Sequence, residues 1–144
     1  MSEVVAYKDS NNNYWDTEVE NSTPIKHKSE DALNIMRHDM AHILAEAVIS
    51  LFPNAKPTIG PFIKNGFYYD FDMESTLSDD DLENIEKKMK EILLQGRDFL
   101  KRAVSKKEAL EIFKDNKYKL ELINNFDNSD EITLYEQNNF TDLC

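Results

Sequence analysis

Cysteine, glycine and proline are scarce in this chain. Among 144 residues there is one cysteine, Cys144, with 3 glycines and 4 prolines. A lone cysteine cannot close an internal disulfide, so the expected setting is a reducing compartment, the cytoplasm. So little glycine and proline excludes collagen-like and low-complexity chains. No apolar run approaches the ~20 residues of a membrane-spanning helix, so no membrane partner is expected. Met1 to Ser10 carries Glu3, Lys8 and Asp9 where a secretory signal would have an apolar stretch. Positive charge is short as well: 17 Lys and Arg against 28 Asp and Glu leave −11. Taken globally, this opposes nucleic-acid binding, because phosphate contacts come from Lys and Arg. The deficit is uneven, however. From Arg97 to Lys119, eight basic residues face four acidic ones, a local +4 that suffices to receive a single nucleic-acid end.

What is present divides near Ser29. Residues 1–28 read as an N-terminal arm, with a strand near Thr23 to Lys28, and residues 29–144 as the main domain. Ser29 caps a helix over Asp31 to Leu51, which Pro53 ends. Leu33, Met36, Met40, Leu44, Ala47 and Leu51 form its broad apolar face, with Ile35, Ala45 and Ile49 on the opposite side. A helix apolar on most sides is buried on most sides, so this one should be central. Lys56 to Asp72 reads as a hairpin turning at Asn65-Gly66 through a type I′ turn, which needs positive φ at both positions. Ser78 to Gln95 reads as a second, flanking helix with an acidic first turn and a stop at Gly96. Arg97 to Val104 suits a strand, and Ser105-x-x-Glu108 a capping box that opens a short helix. Tyr118 to Ile123 alternates apolar and charged residues like a half-buried strand. Glu131 to Tyr135 and Asn139 to Leu143 are weaker strand patterns. The expected class is α+β, a mostly antiparallel sheet packed with one central and one flanking helix.

His38 and His42 sit four apart on the first helix, so both imidazoles leave one face. That suits two-point metal ligation or acid–base work near neutral pH. Small apolar neighbours beside two titratable groups resemble a pocket wall. The ordinary alternative is a pair of hydrogen-bonded structural histidines. No Glu lies between them, so a His-Glu-x-x-His zinc protease pattern is absent. Cys144 joins them only if the last strand returns to the helix. On an alternating strand, Lys119 would point away from Tyr118 and Leu120 into solvent.

Several segments carry a family resemblance. They are Arg37-His38-Asp39-Met40-Ala41-His42, Leu51-Phe52-Pro53, Ile59-Gly60-Pro61, Asn65-Gly66-Phe67-Tyr68-Tyr69-Asp70 and Phe140-Thr141-Asp142-Leu143-Cys144. In order and spacing, from about Ser29 to Cys144, the chain resembles the N-terminal editing domain of bacterial threonyl-tRNA synthetase. The related editing domains of alanyl-tRNA synthetase share a His-x-x-x-His and Cys-x-x-x-His frame. The resemblance implies hydrolysis of the ester of mischarged seryl-tRNA(Thr), a second sieve for an amino acid that lacks only a methyl group. It implies His38, His42 and Lys119 as catalytic residues, with Tyr69, Asp142 and Cys144 binding substrate; Asp142 would hold the seryl ammonium. It further implies tRNA(Thr) and the remainder of a homodimeric synthetase as partners, with ATP and zinc serving a ligase core outside this sequence. No cofactor is expected in the domain itself. The alternative is zinc held by His38, His42 and Cys144, as in the alanyl relatives. The family continues after the cysteine with Arg-Gly-Pro-His. Without that last histidine the site is expected to be incomplete and impaired, and a non-catalytic tRNA-acceptor or protein-interaction module is the alternative function. Residues 1–28 would correspond to a remnant of the family's preceding ubiquitin-like domain.

Overall fold

A computed structural model describes residues 3–137 and 139–144. Val4-Val5-Ala6-Tyr7-Lys8 supplies β-branched and aromatic residues for β1 (Val4–Lys8), which is flanked by β2 (Tyr14–Trp15) and β3 (Thr23–Lys26). The arm expected over residues 1–28, with a strand only near Thr23 to Lys28, is thus a three-stranded sheet over most of its length. It reverses at Asp9 because the Asp9 carboxylate accepts from the Asn11 and Asn13 amides, while Asn12 takes φ 64°. The same carboxylate accepts from the Trp15 indole at 2.9 Å, which fixes that ring. Lys8 and the Tyr14 hydroxyl both reach Asp31 and tie the small sheet to the first helix.

Helix α1 (Glu30–Leu51) starts at Ser29, whose hydroxyl accepts from the Ala32 amide. From Ala41 onward it is enclosed on nearly all sides, with Ala41, His42, Ile43, Ala45, Ala47 and Val48 all buried. Both ends project past the core: Leu33, Met36 and Leu51 are 43%, 58% and 39% exposed, so the expected apolar face is covered only in the middle of the helix, at Met40, Leu44 and Ala47. Helix α2 (Asp79–Leu94) packs along it and begins with a two-way capping box between Ser78 and Asp81. Ile43, Ala47, Val48, Ile85 and Ile92 form the core between the two helices.

Between the helices lie β4 (Lys56–Pro57), β5 (Phe62–Ile63), β6 (Gly66–Phe67) and β7 (Phe71–Asp72), paired β4–β7 and β5–β6. Ile63 pairs with Gly66, so Lys64-Asn65 forms the turn, not Asn65-Gly66. Neither Asn65 nor Gly66 has positive φ, and the type I′ turn is not formed.

The C-terminal half is built on an antiparallel sheet of β8 (Leu100–Val104), β9 (Ile132–Gln137) and β10 (Phe140–Leu143), in the order β10–β9–β8. Helices α3 (Lys106–Ile112) and α4 (Lys117–Asn124) cover one face. Alternation along the strands sorts the two faces. Leu143 pairs with Leu134 and both join Val104, Phe113 and Ile123 in a second core. Asp142 pairs with Tyr135, so those two side chains turn the other way, toward α1. The α4 segment corrects the strand expected over Tyr118 to Ile123. Asn116 accepts from the Tyr118 and Lys119 amides and so nucleates a helix, and the residues it buries, Lys119 and Ile123, are four apart. The protein is α+β, with all its strand pairs among the described residues antiparallel.

Candidate functional site

The site forms where α1 meets β10. Four elements each contribute: α1 gives His38 and His42, the segment after β6 gives Tyr69, α4 gives Lys119, and the end of the chain gives Asp142 and Cys144. All six side chains singled out in the sequence line one cavity of about 340 Å³, together with Gly60, Pro61 and Phe62. Gly60 is required at its position because an added Cβ would overlap the Tyr69 ring.

Asp142 is the centre of the arrangement and is 1% exposed. Its Oδ2 accepts from His42 Nδ1 at 2.8 Å and from the Tyr69 hydroxyl at 2.7 Å. Its Oδ1 accepts from the Leu143 amide at 2.8 Å and lies 2.8 Å from Lys119 Nζ. Lys119 Nζ also donates to the Tyr69 hydroxyl at 2.9 Å. Lys119 is therefore a buried, paired ammonium, 3% exposed, and not the solvent-facing lysine that the strand pattern implied.

The chain of contacts continues outward. With Nδ1–H committed to Asp142, His42 presents its Nε2 lone pair to His38 Nε2, 3.0 Å away. His38 Nε2 also lies 3.1 Å from Cys144 Sγ. Two facing imidazole lone pairs would repel, so the His38–His42 contact needs a proton or a cation between them. The Tyr135 ring stacks on His42, with centroids 3.9 Å apart, and holds the imidazole in plane. Nothing in the residue pattern singles out Tyr135; its place on the same strand face as Asp142 follows only from the register of β9 and β10.

The electrostatics follow from these contacts. Burial alone would raise the Asp142 carboxyl, but the His42 hydrogen bond and the Lys119 charge outweigh it and hold the carboxyl below the usual carboxylate range. Burial, then the neighbouring His42, lowers His38 to about 4, so it is neutral at physiological pH. Burial, reinforced by Asp142, pushes the Tyr69 phenol up. Beside His38, burial and then Asp16 raise Asp39 to about 7.

His38 Nε2, His42 Nε2 and Cys144 Sγ all lie within 4.8 Å of one another. Two imidazoles and a thiol suit zinc, and the carboxylate behind His42 Nδ1 is the usual support of a metal-bound histidine. The donor set therefore fits a zinc ion.

By sequence, the chain is a homologue of aminoacyl-tRNA ligases. The relatives it matches are threonine–tRNA ligases, and it matches a segment of them. It is 56% identical over 115 residues to the threonine–tRNA ligase of Borrelia turicatae, covering 80% of this chain and 20% of that protein. The Borrelia duttonii ligase is 56% identical over 108 residues, 75% of this chain and 18% of that protein. The Borreliella burgdorferi ligase is 52% identical over 115 residues, again 80% and 20%. The chain thus spans about a fifth of the length of these curated relatives, a share that fits one domain of a multidomain ligase. No family model matches the chain. No helix among the described residues is long and apolar enough to cross a membrane.

Proposed function

We propose that residues 29–144 form an editing domain that hydrolyses the aminoacyl ester of seryl-tRNA(Thr), with residues 1–28 as a preceding segment. The observation that carries this reading is the convergence of His38, His42, Tyr69, Lys119, Asp142 and Cys144 on one cavity. The homology to threonine–tRNA ligases supplies the substrate class. A ligase site sized for threonine gains little from binding alone against serine, which lacks only a methyl group, and hydrolysis at a second site is one way to supply the missing discrimination.

The residues divide the work as follows. The His38–His42 pair is the general base: it takes a proton from water as the oxygen attacks the ester carbonyl carbon. Asp142 fixes the tautomer of His42 and stabilises the imidazolium that forms. When the carbonyl re-forms and the C–O bond to the terminal ribose breaks, the same pair returns the proton to the leaving ribose oxygen. Lys119 keeps Asp142 ionised. An ammonium has three N–H donors, and two of those on Lys119 are used by Asp142 and Tyr69. The third is available to the oxyanion or to the attacking water. Tyr69 closes the floor of the cavity, and Cys144 sets the position of His38.

The convergence of two Nε2 atoms and Sγ also supports a metal-assisted form. Zinc held by His38, His42 and Cys144 would supply a Lewis acid and a more acidic water. The direct test is deacylation of seryl-tRNA(Thr) by the purified protein, with threonyl-tRNA(Thr) as control. Turnover abolished in His42→Ala supports the reading. Acceptor-stem binding without turnover favours a non-catalytic module instead.

A further inference from the structure

In the deacylase reading, the terminal adenosine and its amino acid occupy the catalytic cavity, so the nucleotides before it must leave across the rim. The basic segment from Arg97 to Lys119 does not supply their path. Arg97 pairs with Glu46, Arg102 with Glu108 and Glu136, and Lys114 with Glu111. Lys106 is held by the Asn124 and Phe126 carbonyls, Lys101 by the Tyr14 carbonyl, and Lys119 is buried. Six of the segment's eight cations are thus committed within the protein. A strand that enters this site must be gripped mainly by its bases.

The rim is apolar instead. Ile59, Phe62 and Phe126 line the cavity and are exposed. The β5–β6 hairpin carries this surface onward from the cavity. Backbone pairing sorts its side chains into two faces. The Asp70 amide donates to the Ile59 carbonyl, the Tyr68 amide donates to the Pro61 carbonyl, and Ile63 pairs with Gly66. Ile59, Pro61, Ile63 and Tyr68 therefore share one face. Phe62, Phe67 and Tyr69 share the other, which turns toward α1 and the site. Ile63 and Tyr68 are 48% and 45% exposed. Large apolar side chains grouped in the open mark a contact surface. Lys64 stands exposed in the turn at one end of this face, and Asp70 at the other.

We infer that Ile59, Pro61, Ile63 and Tyr68 form a stacking shelf for the two cytidines that precede the terminal adenosine of a tRNA. Continuity carries the assignment: Ile59 and Pro61 line the catalytic cavity, and Ile63 and Tyr68 continue their face outward. The Tyr68 ring offers a flat π-face on which any base can stack, and its aliphatic neighbours exclude water from the stack. The sugar–phosphate backbone runs on the Lys64 side, away from Asp70. Stacking needs few phosphate contacts, which reconciles a nucleic-acid partner with a net charge of −11. This assignment rests on the deacylase reading, but a direct binding experiment separates the two.

Two probes are titrated into the full chain by calorimetry. One is 3′-serylamino-3′-deoxyadenosine, whose amide resists hydrolysis; the other is the same nucleoside preceded by two cytidines. The expected result is roughly tenfold or tighter binding of the trinucleotide. Tyr68→Ala should remove that gain and Tyr68→Phe keep it, with the nucleoside alone bound equally by all three proteins. Ile63→Ser, on the other strand, serves if Tyr68→Ala does not fold. The gain should fall with log salt at a slope of about −0.7, the value for one phosphate contact to a single strand. A gain undiminished in the variants, or a slope of about −2 or steeper, would overturn the shelf. No gain would overturn it in favour of a protein partner on this face. A gain without hydrolysis of seryl-tRNA(Thr) keeps the shelf and overturns the deacylase reading. Hydrolysis without a gain overturns the shelf alone.

Discussion

Replacing Asp142 by Asn removes one charge from the most buried polar position of the site without changing its shape. Asp142 meets Lys119 Nζ and His42 Nδ1 at 2.8 Å each, and Tyr69 at 2.7 Å. An amide has one accepting oxygen, so its NH₂ must face either the Lys119 ammonium or the pair of donors from His42 and Tyr69. Lys119, 3% exposed, loses its counter-charge in either orientation. Breaking a buried pair by removing one partner costs about 3–5 kcal/mol, and urea denaturation at pH 7 followed by circular dichroism should show a loss of that size. The double variant Asp142→Asn/Lys119→Met should be more stable than Asp142→Asn alone, because the orphaned charge is gone. The pH dependence follows from the sign of the shift. Asp142 is held below its unfolded value, so its contribution is present above ~3.9 and is lost as pH falls through the folded value. The gap between wild type and Asp142→Asn should therefore persist down to pH ~4 and close only in stronger acid. A loss under ~1 kcal/mol at pH 7, or a double variant no better than the single one, would refute the reasoning.

Other expected outcomes concern the same neighbourhood. Gly60→Ala drives a methyl into the Tyr69 ring, so it should cost about 1–3 kcal/mol in urea denaturation and reduce deacylation, whereas Gly66→Ala, with open space around it, should not reduce deacylation. His38, lowered to about 4 from 6.5, makes the fold lose stability as pH falls from 6.5 through 4. Asp39, raised to about 7 from 3.8, makes the fold lose stability as pH rises from 3.8 through 7, so the two oppose each other over much of the same window. Asp39→Asn should unmask His38: its melting temperature should climb more steeply between pH 4 and 6.5 than that of wild type. No proton transfer in the account runs through a metal, so chelator-treated protein should retain deacylation. Zinc should bind through the three converging donors, and Cys144→Ser should weaken that binding in a competition titration.

The legible parts of the sequence were those governed by local chemistry. Ser29 and Ser78 cap helices where a hydroxyl precedes an apolar or acidic first turn. The β8, β9 and β10 strands fall within a few residues of the segments expected for them, Arg97 to Val104, Glu131 to Tyr135 and Asn139 to Leu143. What failed depended on tertiary partners. Six residues from Tyr118 fit a period of two and also fit a helix; Asn116 as cap and the buried Lys119–Ile123 pair decided it, and neither is visible without the second core and Asp142. Leu33 and Met36 match the helical stripe but extend beyond the elements that bury it. The Asn65-Gly66 signal marked the hairpin correctly, yet the register of Ile63 on Gly66 moved the turn by one residue. At the site, residue types and family motifs named the members. The stacking of Tyr135 on His42 emerged only from strand register, and the docking of the N-terminal strands on α1 only from the tertiary fold.

The central claim is that the buried Lys119–Asp142–His42–His38 chain makes this protein a hydrolase of seryl-tRNA(Thr). The measurement that tests it most directly is release of labelled serine from seryl-tRNA(Thr) by the wild-type chain, beside His42→Ala and with threonyl-tRNA(Thr) as control. The account predicts release by wild type, at least a hundredfold slower release by His42→Ala as expected for loss of a general base, and little release of threonine. Equal rates for wild type and His42→Ala, or equal release of serine and threonine, would contradict it.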